Sequence, residues 1–279
     1  MPSRSYSLIS PEFNLHLHTL NSENEPTTSS SSSSSLSVSS IAKKLHNLES
    51  LYDCVDNFLL LPRTQQIFTR ERHEKWVEQI LDGYLSLVDT CAIARDFIYQ
   101  SKEYIANLLS ILRRKDDSSE FTHSIKSFKK QIQKSLRNIN MGSFKIKKSS
   151  VSAEEDKDQE AINAIISMLE ETFRITFALL ENLLSSISRT KGNRWSLVSR
   201  LVMGSSRKVL CQEHGKSSTF DFGDLDVALR KGIIRVEELQ GKLRAMDSII
   251  REVEERLEWL FKRLIKSRVS LLNLQSQYF

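Results

Sequence analysis

The fold is decided by residues 225–274, which read LDVALRKGIIRVEELQGKLRAMDSIIREVEERLEWLFKRLIKSRVSLLNL. Alternating steps of four and three residues through this stretch give an apolar series that only Gly232 and Ser267 interrupt. The series is Leu225, Leu229, Gly232, Val236, Leu239, Leu243, Met246, Ile250, Val253, Leu257, Leu260, Leu264, Ser267, Leu271, Leu274. This spacing predicts one apolar stripe on a helix about 75 Å long, at about 1.5 Å per residue. Because such a stripe is unstable in water, the rest of the chain is expected to cover it.

Other segments of the chain carry stripes of the same kind. Long helices are predicted over residues 41–60, from Pro62 or Arg70 to 113, and from a capping box at 152–155 to a point before Gly192, with a shorter one over 120–140. Leu61 and Pro62 end the first of them, because the residue before proline avoids the helical region. Arg95 interrupts the second stripe and is expected to snorkel or to pair with a carboxylate. Gly83 within that helix indicates a close approach of another helix.

Composition favours an all-α protein. All four prolines lie at or before Pro62, and eight glycines leave little turn chemistry for a sheet protein. We predict an elongated antiparallel bundle of four or five long helices. Residues 1–40, with a serine run at 29–35, are predicted to be a disordered tail. Residues 41–279 then form a single bundle domain, with a basic linker at 142–153 and a loop at 204–223.

The sequence shows no sign of catalytic, metal or cofactor chemistry. Cys54, Cys91 and Cys211 are far apart and lack metal-ligand spacing, which favours thiols that serve as small apolar side chains in a reducing compartment. There is no secretory signal and no membrane-spanning run, and a plastid transit peptide is disfavoured by the acidic residues near the N-terminus. We therefore expect a cytoplasmic protein that is not an enzyme and holds no cofactor.

One strongly basic segment is the candidate binding site. No acidic residue occurs between Phe121 and Ala153, while eight residues there are basic: Lys126, Lys129, Lys130, Lys134, Arg137, Lys145, Lys147, Lys148. Several of them share a helix face opposite Phe128. This face could bind anionic lipid, an acidic protein or RNA phosphates, or it could be a solvated face that pairs with the acidic residues at 154–160. The few aromatic residues nearby disfavour nucleic acid.

A second basic cluster lies near the end of the last helix. Lys262, Arg263, Lys266 and Arg268 follow Glu258 with no further acidic residue. Basic residues at a helix C-terminus interact favourably with the helix dipole, and that is the role expected here.

The sequence also resembles a known family. The resemblance is carried, as a set, by Arg4-Ser5-Tyr6-Ser7-Leu8, the serine run, Leu61-Pro62 with Gln65-Gln66, His73-Glu74-Lys75-Trp76, Asp82-Gly83, Asp89, Ala94-Arg95-Asp96, Trp195-Ser196-Leu197-Val198 and the stretch from Phe261 to Asn273. It resembles a plant-specific family, domain of unknown function 241, related to the BYPASS proteins. The resemblance implies an intracellular helical plant protein linked to root and shoot development, and it implies no catalytic residues.

Together these observations predict a non-enzymatic interaction or regulatory protein. Its partner is expected to be a protein that the sequence does not identify. The long apolar stripes are also compatible with a dimer of the chain. The alternative is a peripheral membrane protein that binds anionic lipid through residues 126–148.

Overall fold

The computed structural model describes residues 10–22, 38–71, 73–114, 123–124, 127–128, 130, 156–188 and 236–276. The elements within these ranges are helices, and the predicted all-α class is confirmed. They are α1 (Pro11–Ser22), α2 (Val38–Leu59), α3 (Pro62–Arg70), α4 (Lys75–Arg114), α5 (Asp156–Ser188) and α6 (Val236–Ser276).

Four of these helices form a bundle around one apolar core. α2 and α4 each pack against both α5 and α6, and the interface between α4 and α6 is the most extensive. On α6 the central residues of the predicted stripe are buried: Leu243, Leu257 and Leu264 are 0% exposed and Ile250 is 2% exposed. Each large apolar side chain buried in this way stabilises the fold by about 1.5–3 kcal/mol gross, so these stripes hold the bundle together.

Contacts along α6 fix the directions of its neighbours. α4 runs antiparallel to α6, since Lys102 pairs with Glu254 while Arg268 reaches the carbonyl of Leu81. This pair has the predicted antiparallel arrangement. α2 instead runs parallel to α6, because its contacts advance along both helices together: Glu49 with Arg256, Asp53 with Arg263, Asp56 with Ser267.

The break predicted at Leu61-Pro62 is present. α2 ends at Leu59, and Pro62 is the first residue of α3. α3 is a separate short helix, and the long helix predicted to follow Pro62 begins only at Lys75. The buried Trp76 packs against Phe68 of α3, with ring centroids 5.3 Å apart. Gly83 of α4 is buried.

The N-terminal region departs from the prediction of a disordered tail. Residues 11–22 form α1, which packs mainly on α2. Phe13 and Leu20 are 3% and 1% exposed. The backbone N–H of Phe13 donates to the Ser10 hydroxyl at 3.1 Å, which caps the helix. The serine-rich composition around this segment misled the prediction, because the apolar residues within it are enough to dock one short helix.

Several predicted elements lie outside the described residues. They are most of the helix at 120–140, the linker at 142–153, the segment around Trp195, the loop at 204–223, residues 225–235 and the serine run. Within 120–140 the described positions 123–124, 127–128 and 130 are helical, in agreement with the predicted helix.

Candidate functional site

The start of the basic segment is docked on α4. The ring of Phe128 stacks on that of Tyr104, with centroids 4.0 Å apart and an interplanar angle of 8°. The Asn107 side-chain amide donates to the Ser124 hydroxyl at 3.3 Å. A surface pocket of about 450 Å³ lies along this contact, with Glu103 and His123 in its lining. Among the described residues, a ring stack and a hydrogen bond therefore hold the start of this segment against the C-terminal half of α4.

Lys130 is the one predicted binding residue within the described part of the chain, and it is exposed. It follows Phe128 by two helical positions, which turns it to the opposite face. The orientation predicted for this helix, apolar side inward and basic side outward, thus holds at Lys130 and Phe128. The other candidate residues lie outside the described residues: Lys126, Lys129, Lys134, Arg137, Lys145, Lys147, Lys148.

A polar cluster joins α2 to α6 near the C-terminal end of both helices. The Arg263 guanidinium pairs with Asp53 at 2.7 Å and with Asp56 at 2.8 Å. The Ser267 hydroxyl donates to Asp56 at 2.9 Å, and Arg263 also lies over the Trp259 ring at 5.6 Å. Arg263 was expected to interact with the helix dipole, but it forms specific contacts with α2 instead.

On the side of α6 that faces α4, two ion pairs connect the helices. Arg95 pairs with Glu258 and lies 4.4 Å from the centre of the Phe261 ring. The predicted pairing of Arg95 with a carboxylate is confirmed. Lys102 donates to both carboxylate oxygens of Glu254, at 2.8 and 2.6 Å. The partner residues Glu258 and Glu254 were not predicted, since the sequence does not say which helix faces which.

Burial in the core raises the pKa of two polar side chains, Tyr52 and Cys91. The Tyr52 and Thr176 hydroxyls share a hydrogen bond of 3.1 Å, and burial raises the pKa of Tyr52 far above its ordinary value. The Cys91 thiol donates to the Leu257 carbonyl at 3.6 Å, and burial raises its pKa to about 12. At neutral pH these groups are uncharged and serve packing, as predicted for Cys91.

A surface groove runs along the outer side of the α4–α6 contact, and we call it the outer groove. Its volume is about 750 Å³. It is lined by residues of mixed charge with two aromatic rings: Ala92, Arg95, Asp96, Tyr99, Arg251, Glu254, Glu255, Glu258, Trp259, Lys262. Tyr99 is 54% exposed within it. The groove combines exposed apolar and charged groups, as protein-binding surfaces do.

Two kinds of feature are absent from the described part of the chain. No group of three or more His, Cys, Asp or Glu side chains there is placed to hold a metal ion. None of the helices there combines the length and the apolar character that crossing a membrane requires.

The fold and these surfaces define a class: an all-α bundle protein whose internal polar groups join its helices and whose candidate binding sites lie on its surface. The family described as Protein BPS1 matches residues 44–274. The match spans most of the chain, so the chain belongs to the BPS1 family, and the resemblance to the BYPASS-related family is confirmed. No curated protein and no solved structure matches the chain.

Proposed function

We propose that this protein is a non-enzymatic interaction protein of the plant cytoplasm that acts as a scaffold or regulator in root and shoot development. The developmental role is supported by membership in the BPS1 family. The interaction role is supported by the way in which the basic segment is mounted on the bundle.

The observation that carries this proposal is that Phe128 is anchored on α4 while Lys130, two residues later, is exposed. Phe128 is 7% exposed and stacks on Tyr104 of α4. Lys130 lies on the opposite side of the helix from Phe128. Its charge is therefore exposed close to the point where Phe128 is anchored on α4. Positive charge held in this manner attracts acidic partners at a reduced entropic cost, because Phe128 is anchored two residues from Lys130 before binding.

Proximity labelling in root cells tests the proposal. The native chain is compared with a segment variant that carries Lys129→Glu, Lys130→Glu and Lys134→Glu. A control variant with the same charge change carries Lys43→Glu, Lys75→Glu and Arg244→Glu, three exposed residues on α2, α4 and α6. The expected partners are proteins that are labelled by both the native chain and the control variant but not by the segment variant. Identical labelling by all three chains would overturn the role of the basic segment.

The second candidate function is attachment to an anionic membrane surface, which the same exposed Lys130 favours. Each basic residue near such a surface contributes about 1 kcal/mol, so reversal of three charges removes most of the binding. On this alternative the native chain and the control variant float with vesicles that contain anionic lipid and not with neutral vesicles, while the segment variant stays in the soluble fraction. Unchanged flotation of the segment variant would remove this alternative.

A further inference from the structure

The outer groove continues toward the C-terminal end of α6 as an apolar strip. Leu85 precedes Ala92 by about two turns of α4, and Ile265 and Val269 follow Glu258 by about two and three turns of α6. Helical spacing therefore places all three on the groove-lining faces of the two helices. Their exposures are 42%, 40% and 47%, and they are three of the seven exposed large apolar residues in the described part of the chain. We call Leu85, Ile265 and Val269 the apolar strip.

The strip lies between two rims of opposite charge. The contacts of Lys102 with Glu254 and of Arg268 with Leu81 place Asp82 and Asp89 of α4 level with the strip. Both are exposed and acidic on the outward face of α4, and they form the acidic rim. On α6 the outward face carries exposed Lys262 and Lys266, which form the basic rim. Lys262 contacts Glu258 within its own helix at 3.2 Å while remaining 73% exposed, so its charge stays accessible. α4 and α6 are antiparallel, and the start of α4 therefore lies beside the end of α6.

We propose that this face is a homodimer interface that binds a second copy of the chain. An interface with two-fold symmetry must be complementary to itself. A two-fold axis along the strip, parallel to the helices, places the basic rim of each copy over the acidic rim of the other. Both charge contacts are then favourable, and the two apolar strips meet between them. The acidic rim disfavours an anionic membrane as the occupant of this face.

The apolar strip is too small to hold a tight dimer by itself. A stable interface buries about 800 Å² on each partner, far more than the exposed parts of three side chains. Association therefore depends on the charged rims, and we expect a dissociation constant in the range of about 10–100 µM that rises with salt because exposed charges are screened. The inference is independent of the basic segment and of the proposed function.

Sedimentation equilibrium of the full chain over about 1–500 µM tests the inference, since that range brackets the expected dissociation constant. A basic-rim variant carries Lys262→Glu and Lys266→Glu, and an acidic-rim variant carries Asp82→Lys and Asp89→Lys. Each variant alone places like charges opposite each other, and we expect its dimer dissociation constant to rise about ten-fold or more. Circular dichroism establishes that each variant is folded. The charge-matched control carries Lys43→Glu and Arg113→Glu, both away from the strip, and is expected to dimerise as the native chain does.

Mixing the two rim variants gives the sharpest test. In a mixed dimer the reversed basic rim of one copy meets the reversed acidic rim of the other, and the two unmodified rims also meet. Every charge contact is then restored, so the mixture is expected to dimerise as tightly as the native chain while neither variant does so alone. A native chain that stays monomeric at all concentrations would overturn the proposal. The proposal would also be overturned if the rim variants dimerised with the dissociation constant of the native chain, or if their mixture stayed monomeric.

Discussion

Arg263 connects α2 and α6 through charges that are largely removed from water. Its side chain is 19% exposed, and its partner Asp56 is 17% exposed. Loss of one member of a buried ion pair costs about 3–5 kcal/mol, and partial exposure lowers that figure, so Arg263→Ala is expected to reduce the free energy of unfolding by about 1–3 kcal/mol. Urea denaturation followed by circular dichroism measures the change.

A pair at the surface provides the control for Arg263. Arg251 pairs with Asp247 within α6 at 2.9 Å and is 60% exposed. Exposed pairs at this spacing contribute about 0.3–0.5 kcal/mol, so Arg251→Ala is expected to change stability by no more than that. Equal losses in the two variants would contradict the structural role assigned to Arg263.

Cys91 makes stability depend on pH in the alkaline range. Burial raises the pKa of its thiol from 9.0 to about 12 in the folded chain. Below pH 9 the thiol is protonated in both states, and its contribution to stability is fully present. Above pH 9 the unfolded chain loses this proton while the folded chain retains it, so stability falls by up to about 1.4 kcal/mol per pH unit until about pH 12.

The variant Cys91→Ala isolates that contribution. Its free energy of unfolding is expected to fall less steeply between pH 9 and pH 11 than that of the native chain, whatever the substitution costs at neutral pH. Cys54→Ala serves for comparison, because the thiol of Cys54 is only partly buried and a smaller change in slope is expected. Parallel pH profiles for Cys91→Ala and the native chain would show that the thiol titrates alike in both states.

At the scale of the helix, the spacing of apolar residues predicted the helices that bury a continuous apolar stripe. The helix predicted over 41–60 is α2, and the helix predicted from the capping box at 152–155 to a point before Gly192 is α5, which the structure gives as Asp156–Ser188. Proline placed the break at Leu61. The sequence also held a signal for α1, namely Ser10 as a cap, Pro11 in the first turn, and Phe13 and Leu20 two turns apart. The overall polar composition of residues 1–40 hides that signal, because composition does not report on one short amphipathic helix.

α1 is expected to detach without unfolding the bundle when its two anchors are removed. Phe13→Ala together with Leu20→Ala leaves little apolar area to hold this short helix on α2, and isolated helices of this length are marginal in water. Hydrogen exchange of residues 11–22 should then become fast, while exchange in α4 and α6 stays slow. Leu15→Ala is the matched control, because Leu15 is 64% exposed. Slow exchange at 11–22 in the double variant would show that other contacts hold α1.

The candidate site was only partly predictable, for a physical reason. A run of basic residues with no acidic one between them is visible in the sequence, and so is the position of Phe128 on the opposite face of the helix from Lys130. The neighbour of that helix is not visible, because the stacking of Phe128 on Tyr104 depends on which long helix passes nearby. The pairs of Lys102 with Glu254 and Arg256 with Glu49 were missed for the same reason: charges beside an apolar stripe indicate an interface without naming the partner helix.

For the whole molecule, the central question is whether the stripes form one cooperative core. Leu257 of α6 is 0% exposed, and its carbonyl accepts the hydrogen bond from Cys91 of α4. Leu257→Ala is expected to lower the free energy of unfolding by about 2–5 kcal/mol, because the lost contacts and the resulting cavity both contribute. Ile265→Ala on the same helix is expected to cost much less, since that side chain is 40% exposed.

Hydrogen exchange of the Leu257→Ala variant distinguishes one core from two. If α2, α4, α5 and α6 unfold as a single unit, the slowest amides of all four helices lose the same amount of protection, equal to the loss of global stability. α5 provides the critical measurement, because it packs on α2 and α4 and reports on α6 only through the shared core. Protection lost in α4 and α6 but retained in α5 would divide the bundle into separately stable parts and contradict the prediction of a single domain.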